Sequence, residues 1–163
     1  MLKVYQTIVD KEHGNCMQAA IASLFEKKLE EVPNFIEYKN GWAEPLFEFL
    51  KKVGYNYDGI LYNMNFNRLR GYYEYKNKTK FYKLKKYDGV NGYFCASVLS
   101  PKYYVKGDKE CYFTTHAVII DRNLNIIHDP NPEYHNIKEY PESKFLKYKG
   151  IIDIYMINKY KSS

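Results

Sequence analysis

The chain has 163 residues, of which 45% are hydrophobic and 27% charged, and its 25 basic and 19 acidic side chains give a formal net charge of +6. This balance is typical of a folded globular protein and excludes a predominantly disordered chain. No apolar run approaches the roughly 20 residues that span a bilayer, so we expect no membrane partner.

The number of cysteines and the first residues of the chain indicate the cellular compartment. The opening stretch MLKVYQTIVDKEHG lacks the apolar run and small-residue cleavage site of a signal peptide. Three cysteines, an odd number in a chain without an export signal, argue against a disulfide framework. We expect a cytoplasmic protein that folds as a single domain over residues 1–163.

The first predicted element is a helix that begins at Cys16. Its apolar residues follow the i, i+3, i+4, i+7, i+8 spacing of one buried face: Met17, Ala20, Ile21, Leu24 and Phe25. Asn15 is the predicted N-cap, and Gly14 before it permits a tight entry. The helical pattern fades before Pro33, which ends a short second turn.

A second helix is predicted over residues 42–53, in WAEPLFEFLKKV. Its apolar stripe consists of Trp42, Leu46, Phe49, Leu50 and Val53. Pro45 fits the first turn of this helix, and Gly54 is a natural stop after it.

The segments after Gly54 have the character of strands. They are short, rich in aromatic and β-branched residues, and separated by polar turns: YDGILYN, GYYEYKNKTKFYKL, GYFCASVLS, HAVIID, NIIHD and GIIDIYMI. The stretch HAVIIDRNLNIIHDP is typical of a hairpin. Helices followed by strands predict an α+β domain with the early helix packed on a later antiparallel sheet.

An insertion at about residues 62–90 is rich in lysine and tyrosine. Between Arg68 and Lys86 it carries eight basic residues and one acid, Glu74. Basic residues interleaved with aromatic ones are typical of surfaces that bind single-stranded nucleic acid or another anionic partner. The chain has 22 Lys and 3 Arg, as in an A/T-rich genome, and this composition favours a solvated hairpin over a binding surface.

Three side chains form a candidate catalytic set. Cys16 lies at a helix N-terminus, where free backbone N–H groups and the helix dipole lower a thiol pKa. A thiol nucleophile also needs a base and a group that orients the base. His116 opens the strand HAVII, and the hairpin brings Asp129 of IIHDP back beside it. Each residue alone also fits a structural role, but their order favours catalysis.

The stretch GNCMQAAIASLFEKKLEEVPNF closely resembles the nucleophile helix of papain-like cysteine peptidases. It is most similar to small bacterial and phage proteins related to bacteriocin-leader (double-glycine) peptidases. Further segments resemble the same family in the same order: WAEPLFEFLKKVGY, GYFCASVLSP, THAVIID and IIHDPNP. The resemblance implies a papain-like fold, with an N-terminal nucleophile helix packed on a C-terminal antiparallel sheet.

The resemblance also implies a role for each site residue. Cys16 would be the nucleophile, His116 the general base and acid, and Asp129 the residue that orients His116. The oxyanion hole would use the backbone N–H of Cys16 and the side chain of Gln6, the one glutamine that precedes the cysteine. Gln6 lies ten residues ahead of Cys16, a longer spacing than the family's, and the shorter spacing would fall on Asp10.

Other uses of the histidines and cysteines are less well supported. Cys16, Cys111, His116 and His128 lack the C-x-x-C or H-x-x-x-H spacing of zinc sites, so we expect neither a metal nor a cofactor. Cys95 is predicted to be a buried strand residue, and His13 to lie in a loop. Neighbouring strand residues face opposite ways, so only one of His128 and Asp129 can face His116.

Two functions remain open on the sequence. The first is a papain-like cysteine hydrolase, a peptidase, amidase or acyl transferase that acts through a thioester intermediate on a peptide or protein substrate. The second is a non-catalytic binding module of a phage or mobile element on the same fold. That module would use the basic insertion to bind a host protein or an anionic ligand.

Overall fold

The computed structural model describes residues 1–9, 14–62, 84, 86–99, 115–131 and 151–160. These residues form two α-helices, two short 3-10 turns and five strands. The helices are α1 (Cys16–Leu24) and α2 (Ala43–Lys52), with the 3-10 turns Leu29–Glu31 and Phe35–Glu37 between them. The strands are β1 (Tyr55–Tyr62), β2 (Tyr93–Leu99), β3 (Thr115–Asp121), β4 (Ile126–His128) and β5 (Ile151–Lys159).

Helix α1 begins at Cys16 as its apolar spacing predicts, and most of its residues are buried. Asn15 occupies the predicted N-cap position, but its carboxamide oxygen accepts no backbone N–H group of the first turn. The reason is competition, because the Asn15 carboxamide oxygen instead accepts the backbone N–H groups of Thr7 and Ile8.

Helix α2 confirms the second predicted helix with slightly narrower bounds. Trp42 and Val53 become its flanking cap residues, and Pro45 lies in its first turn. Gly54 follows with φ of +80°, a left-handed conformation that favours glycine and ends the helix.

The sheet is antiparallel throughout and has the strand order β1-β5-β2-β3-β4. Five of the six predicted strand segments are therefore confirmed, and GYYEYKNKTKFYKL lies outside the described residues except for Leu84. Helix α1 packs against β3 and β2, and α2 packs against β1. The expected α+β architecture is confirmed.

Alternation along the strands gives the sheet two apolar faces. On the face that packs with α1, the buried sheet residues are Cys95, Ala117, Ile119 and Ile157. The opposite face contributes Phe94, Ala96, Val98, Val118, Ile120, Ile154 and Met156 to a second buried cluster. A sheet buried on both faces holds its strand ends in fixed positions, which matters for side chains at those ends.

The hairpin between β3 and β4 is closed by Asp121. Its carboxylate oxygen Oδ1 accepts the backbone N–H groups of Asn123 and Asn125, at 2.8 and 2.9 Å. This tight turn returns the chain so that the residues after β4 lie near the start of β3.

Several sequence predictions fall outside the described residues. Apart from Leu84 and Lys86, the basic stretch from Arg68 to Lys86 lies there, as do His13 and Cys111. The two interpretations of the basic insertion therefore stay predictions.

Among the described helices, none has both the length and the apolar character needed to cross a bilayer.

Candidate active site

The hairpin joins the predicted base to its predicted orienting acid. His116 lies near the start of β3, Asp129 directly follows β4, and His116 Nε2 lies 2.6 Å from Asp129 Oδ1. Both residues are buried, with exposed fractions of 6% and 8%. The same Oδ1 atom accepts the backbone N–H of Asn131 at 2.8 Å, which holds the carboxylate in place. Such a short, charge-assisted bond fixes the plane of the imidazole ring.

The thiol of Cys16 meets the other side of this imidazole. Cys16 is the first residue of α1 and is half-buried, and its sulfur forms a hydrogen bond with the His116 side chain. Because Asp129 occupies Nε2, Nδ1 is the ring nitrogen that remains for the sulfur. The structure thus joins Cys16, His116 and Asp129 through two hydrogen bonds to one imidazole ring.

Electrostatics at this site favour the charged thiolate. Burial by itself raises the pKa of Cys16, but the hydrogen bond and positive charge of His116 outweigh it. The backbone N–H groups of Ala117 and Met17 add to the same effect. The net result is a pKa of Cys16 below its ordinary value.

The imidazole is shifted in the opposite direction. Burial lowers the pKa of His116, but the hydrogen bonds to Asp129 and Cys16, together with their negative charges, raise it to about 9. The two opposite shifts therefore favour a Cys16 thiolate beside a His116 imidazolium over the neutral pair. This is the charge state in which a thiol is most nucleophilic and a proton donor stands next to it.

His128 points away from this group, although it adjoins Asp129 in the chain. Its Nε2 lies 2.8 Å from the backbone oxygen of Val4, and its ring packs edge-on against Tyr5 with centroids 5.2 Å apart. Burial lowers the pKa of His128. Only Asp129 of the two neighbours reaches His116, as strand alternation predicts, and His128 anchors the N-terminal segment instead.

Gln6 lies beside the start of α1 despite its long separation in sequence. Its backbone N–H donates to the carbonyl oxygen of Pro130 at 2.9 Å, next to Asp129. Its side-chain Nε2 donates to the carbonyl oxygen of Ile8 at 2.9 Å. That same oxygen accepts the backbone N–H of Asn15 at 3.2 Å. The Gln6 amide and the residue before the nucleophile therefore meet at one carbonyl, whereas Asp10 lies outside the described residues.

A network of buried polar side chains on α1 was missed by the sequence analysis. Gln18 accepts a hydrogen bond from Asn15 and donates to the carbonyl oxygens of Leu29 and Val32, at 3.0 and 2.8 Å. The hydroxyl of Ser23 is also buried in this helix. The available signal was the polar residues that recur within an otherwise apolar helical run, since buried polar groups must find partners.

Ser23 links α1 to the N-terminal segment. Its hydroxyl oxygen accepts the backbone N–H of Val4 at 2.8 Å and lies 3.2 Å from the carbonyl oxygen of the same residue. That carbonyl also meets His128. The segment before α1 thus ties the helix that carries Cys16 to the hairpin that carries Asp129.

Cys95 has the character predicted for it. It lies on β2 with no exposed surface, and burial raises its pKa far above the ordinary value. A thiol without access and without thiolate character is unreactive. Of the two cysteines in the described residues, Cys16 is the one suited to chemistry.

The effect of Asp129 on His116 can be tested with a substitution that removes the negative charge and keeps the side-chain shape. We expect Asp129→Asn to lower the pKa of His116 from about 9 toward the ordinary value near 6.5, because the amide keeps an acceptor oxygen but loses the negative charge. Measurement of the His116 ring resonances against pH by NMR, with His116→Ala for assignment, gives this pKa. An unchanged titration midpoint would show that Asp129 shapes the turn without acting on His116.

No family model matches this chain, and neither a curated protein nor a solved structure is detectably similar to it.

Proposed function

We propose that this protein is a cysteine hydrolase with a papain-like fold, which cleaves an amide or related acyl bond of a peptide or protein. The observation that carries the proposal is the hydrogen bonding of three groups, a thiol, an imidazole and a carboxylate. A thiol at the first residue of a helix is hydrogen-bonded to His116, whose other nitrogen lies 2.6 Å from the buried carboxylate of Asp129. The helix packed on an antiparallel sheet is the architecture that such a fold requires.

The first half of the reaction uses the thiolate–imidazolium pair. The Cys16 thiolate attacks the substrate carbonyl carbon, and the carbonyl π electrons move to oxygen as a tetrahedral oxyanion. As the intermediate collapses, the bond to the leaving nitrogen breaks and His116 protonates that nitrogen. The amine leaves, and the acyl group remains on Cys16 as a thioester.

The second half returns the enzyme to its starting state. His116, now neutral, takes a proton from a water molecule as that water attacks the thioester carbonyl. The second tetrahedral intermediate expels the Cys16 thiolate, and the carboxylic acid product leaves. Asp129 stays ionised and stabilises the imidazolium in each half. An amine in place of water would give acyl transfer with the same residues.

Two donors suit the oxyanion that forms in each half. The backbone N–H of Cys16 is in the first turn of α1, where N–H groups have no acceptor within the helix. The Gln6 carboxamide lies beside that helix start and carries a second N–H besides the one given to Ile8. Donors aimed at developing charge are a large source of rate acceleration in acyl transfer.

The test uses p-nitrophenyl acetate, because the natural substrate is not needed to detect a reactive acyl-forming thiol. We expect a burst of one p-nitrophenolate per protein, followed by slower turnover. Mass spectrometry of the acid-quenched protein should place one acetyl group on Cys16 as a hydroxylamine-sensitive thioester. Acetylation spread over lysines without a thioester on Cys16 would contradict the proposed function.

A further inference from the structure

We propose that Asn15 is a positioning residue, which holds the Gln6 carboxamide next to Cys16 as the second oxyanion donor. This inference deepens the proposed function and rests on it. Asn15 does not touch the reacting atoms in this scheme; it acts through the backbone of Ile8.

The Asn15 side chain is fully engaged, and three of its four hydrogen bonds go to the segment that carries Gln6. Its Oδ1 accepts the backbone N–H groups of Thr7 and Ile8 at 3.1 and 2.9 Å. Its Nδ2 donates to the hydroxyl of Thr7 at 3.2 Å and to Oε1 of Gln18 at 3.0 Å. With an exposed fraction of 2%, Asn15 makes these bonds out of competition with water.

Asn15 and Ile8 are joined by two reciprocal hydrogen bonds, one to the side chain of Asn15 and one from its backbone. The Ile8 N–H bonds to the Asn15 side chain, and the Asn15 N–H bonds to the Ile8 carbonyl oxygen at 3.2 Å. That carbonyl also holds the Gln6 amide, through Nε2 at 2.9 Å. Since Asn15 is bonded covalently to Cys16, the nucleophile and the Gln6 amide are held from one residue.

The hydrogen bonding of the Gln6 carboxamide indicates that its position is required by a functional site and not only by the fold. One N–H of Gln6 Nε2 is donated to the carbonyl oxygen of Ile8. The second N–H of that nitrogen can then donate to an oxyanion. Its Oε1 is buried and has no hydrogen-bond partner among the described residues. An orphaned buried acceptor is costly, so a side chain held in this way is typical of a functional constraint.

The side-chain chemistry explains why asparagine stands at this position. The amide group offers one acceptor to two N–H groups and two hydrogens for donation, which Asn15 uses toward Thr7 and Gln18. Aspartate would keep the acceptor bonds but would lose the bond to Gln18. Alanine would leave the Thr7 and Ile8 N–H groups without this partner and release the Gln6 segment from α1.

The test compares two reactions of the Cys16 thiol. Iodoacetamide alkylation reports only on the thiolate, because no oxyanion forms, whereas acylation by p-nitrophenyl acetate needs both the thiolate and the oxyanion donors. We expect Asn15→Ala to lower the ratio of acylation rate to alkylation rate by roughly 10-fold or more, and we expect the same of Gln6→Ala. The double variant should show no larger loss than either single variant, because both remove the same donor.

Two further outcomes decide the role of Asn15. Asn15→Asp keeps the two acceptor bonds and should keep the ratio within about threefold of the wild type. If Asn15→Ala does not fold, this variant still keeps the role falsifiable, because a collapse of its ratio would contradict it. A ratio that is unchanged in Asn15→Ala, or that collapses in Asn15→Asp, would overturn the role. The wild-type burst is judged separately: its absence contradicts the proposed function, and its presence with an unchanged ratio contradicts only the role of Asn15.

Discussion

Replacing Cys16 with serine is expected to abolish the acylation burst and to lower steady-state hydrolysis of p-nitrophenyl acetate by roughly a thousandfold or more. A serine hydroxyl beside His116 does not ionise near neutral pH, whereas the Cys16 pKa is already lowered by that imidazolium. The substitution changes one atom and keeps the start of α1. The loss therefore measures the nucleophile and not the fold.

The matched control for this experiment is the second thiol of the described core. Cys95→Ala removes a fully buried sulfur whose raised pKa makes it unreactive, so the burst and the hydrolysis rate should stay near wild-type values. Thermal unfolding of both variants gives the accompanying change in stability. Hydrolysis by Cys16→Ser at the wild-type rate would remove Cys16 from the mechanism.

Replacing His116 with alanine is expected to slow alkylation of Cys16 by iodoacetamide about 100-fold at pH 6.5. In the wild type the imidazolium is charged at every pH below about 9 and keeps the Cys16 pKa low. Without it burial raises the Cys16 pKa to the ordinary value or above, so little thiolate exists at pH 6.5. The difference between the two proteins should shrink as the pH rises past 9, where wild-type His116 loses its proton.

The readout is the alkylation rate of the Cys16 peptide, followed by mass spectrometry from pH 5 to 10. His128→Gln serves as the control, because its amide can still donate to the Val4 carbonyl and His128 takes no part in the charge balance at Cys16. This control should keep the wild-type pH profile. Identical pH profiles for His116→Ala and the wild type would contradict the thiolate–imidazolium pair.

Local pattern was sufficient for the elements that frame the site. The apolar spacing after Cys16, and the apolar stripe that begins at Trp42 and stops before Gly54, predicted both helices within a residue or two of their observed ends. The strands followed from short β-branched runs between polar turns, and the hairpin from two such runs joined at Asp121. These signals depend on residues close in sequence, which is why they can be read without a structure.

The role of Asn15 illustrates what local pattern leaves undecided. By position and residue type it is a good N-cap, and a cap requires only its own helix. In the structure the same carboxamide oxygen accepts the N–H groups of Thr7 and Ile8, which belong to the segment before α1. Which partner wins depends on the path of that segment, and no spacing rule predicts that path.

The sequence by itself determined the chemical parts of this protein: a thiol at a helix start, a histidine on a strand, and an acid after the returning strand. Side-chain type and periodicity are local properties, so they can be read one segment at a time. Only the tertiary structure brought Asp129 within 2.6 Å of His116, turned His128 toward Val4, and placed Gln6 beside the start of α1. Those outcomes depend on strand register and on hydrogen bonds between segments distant in sequence, which exist only once the sheet has formed.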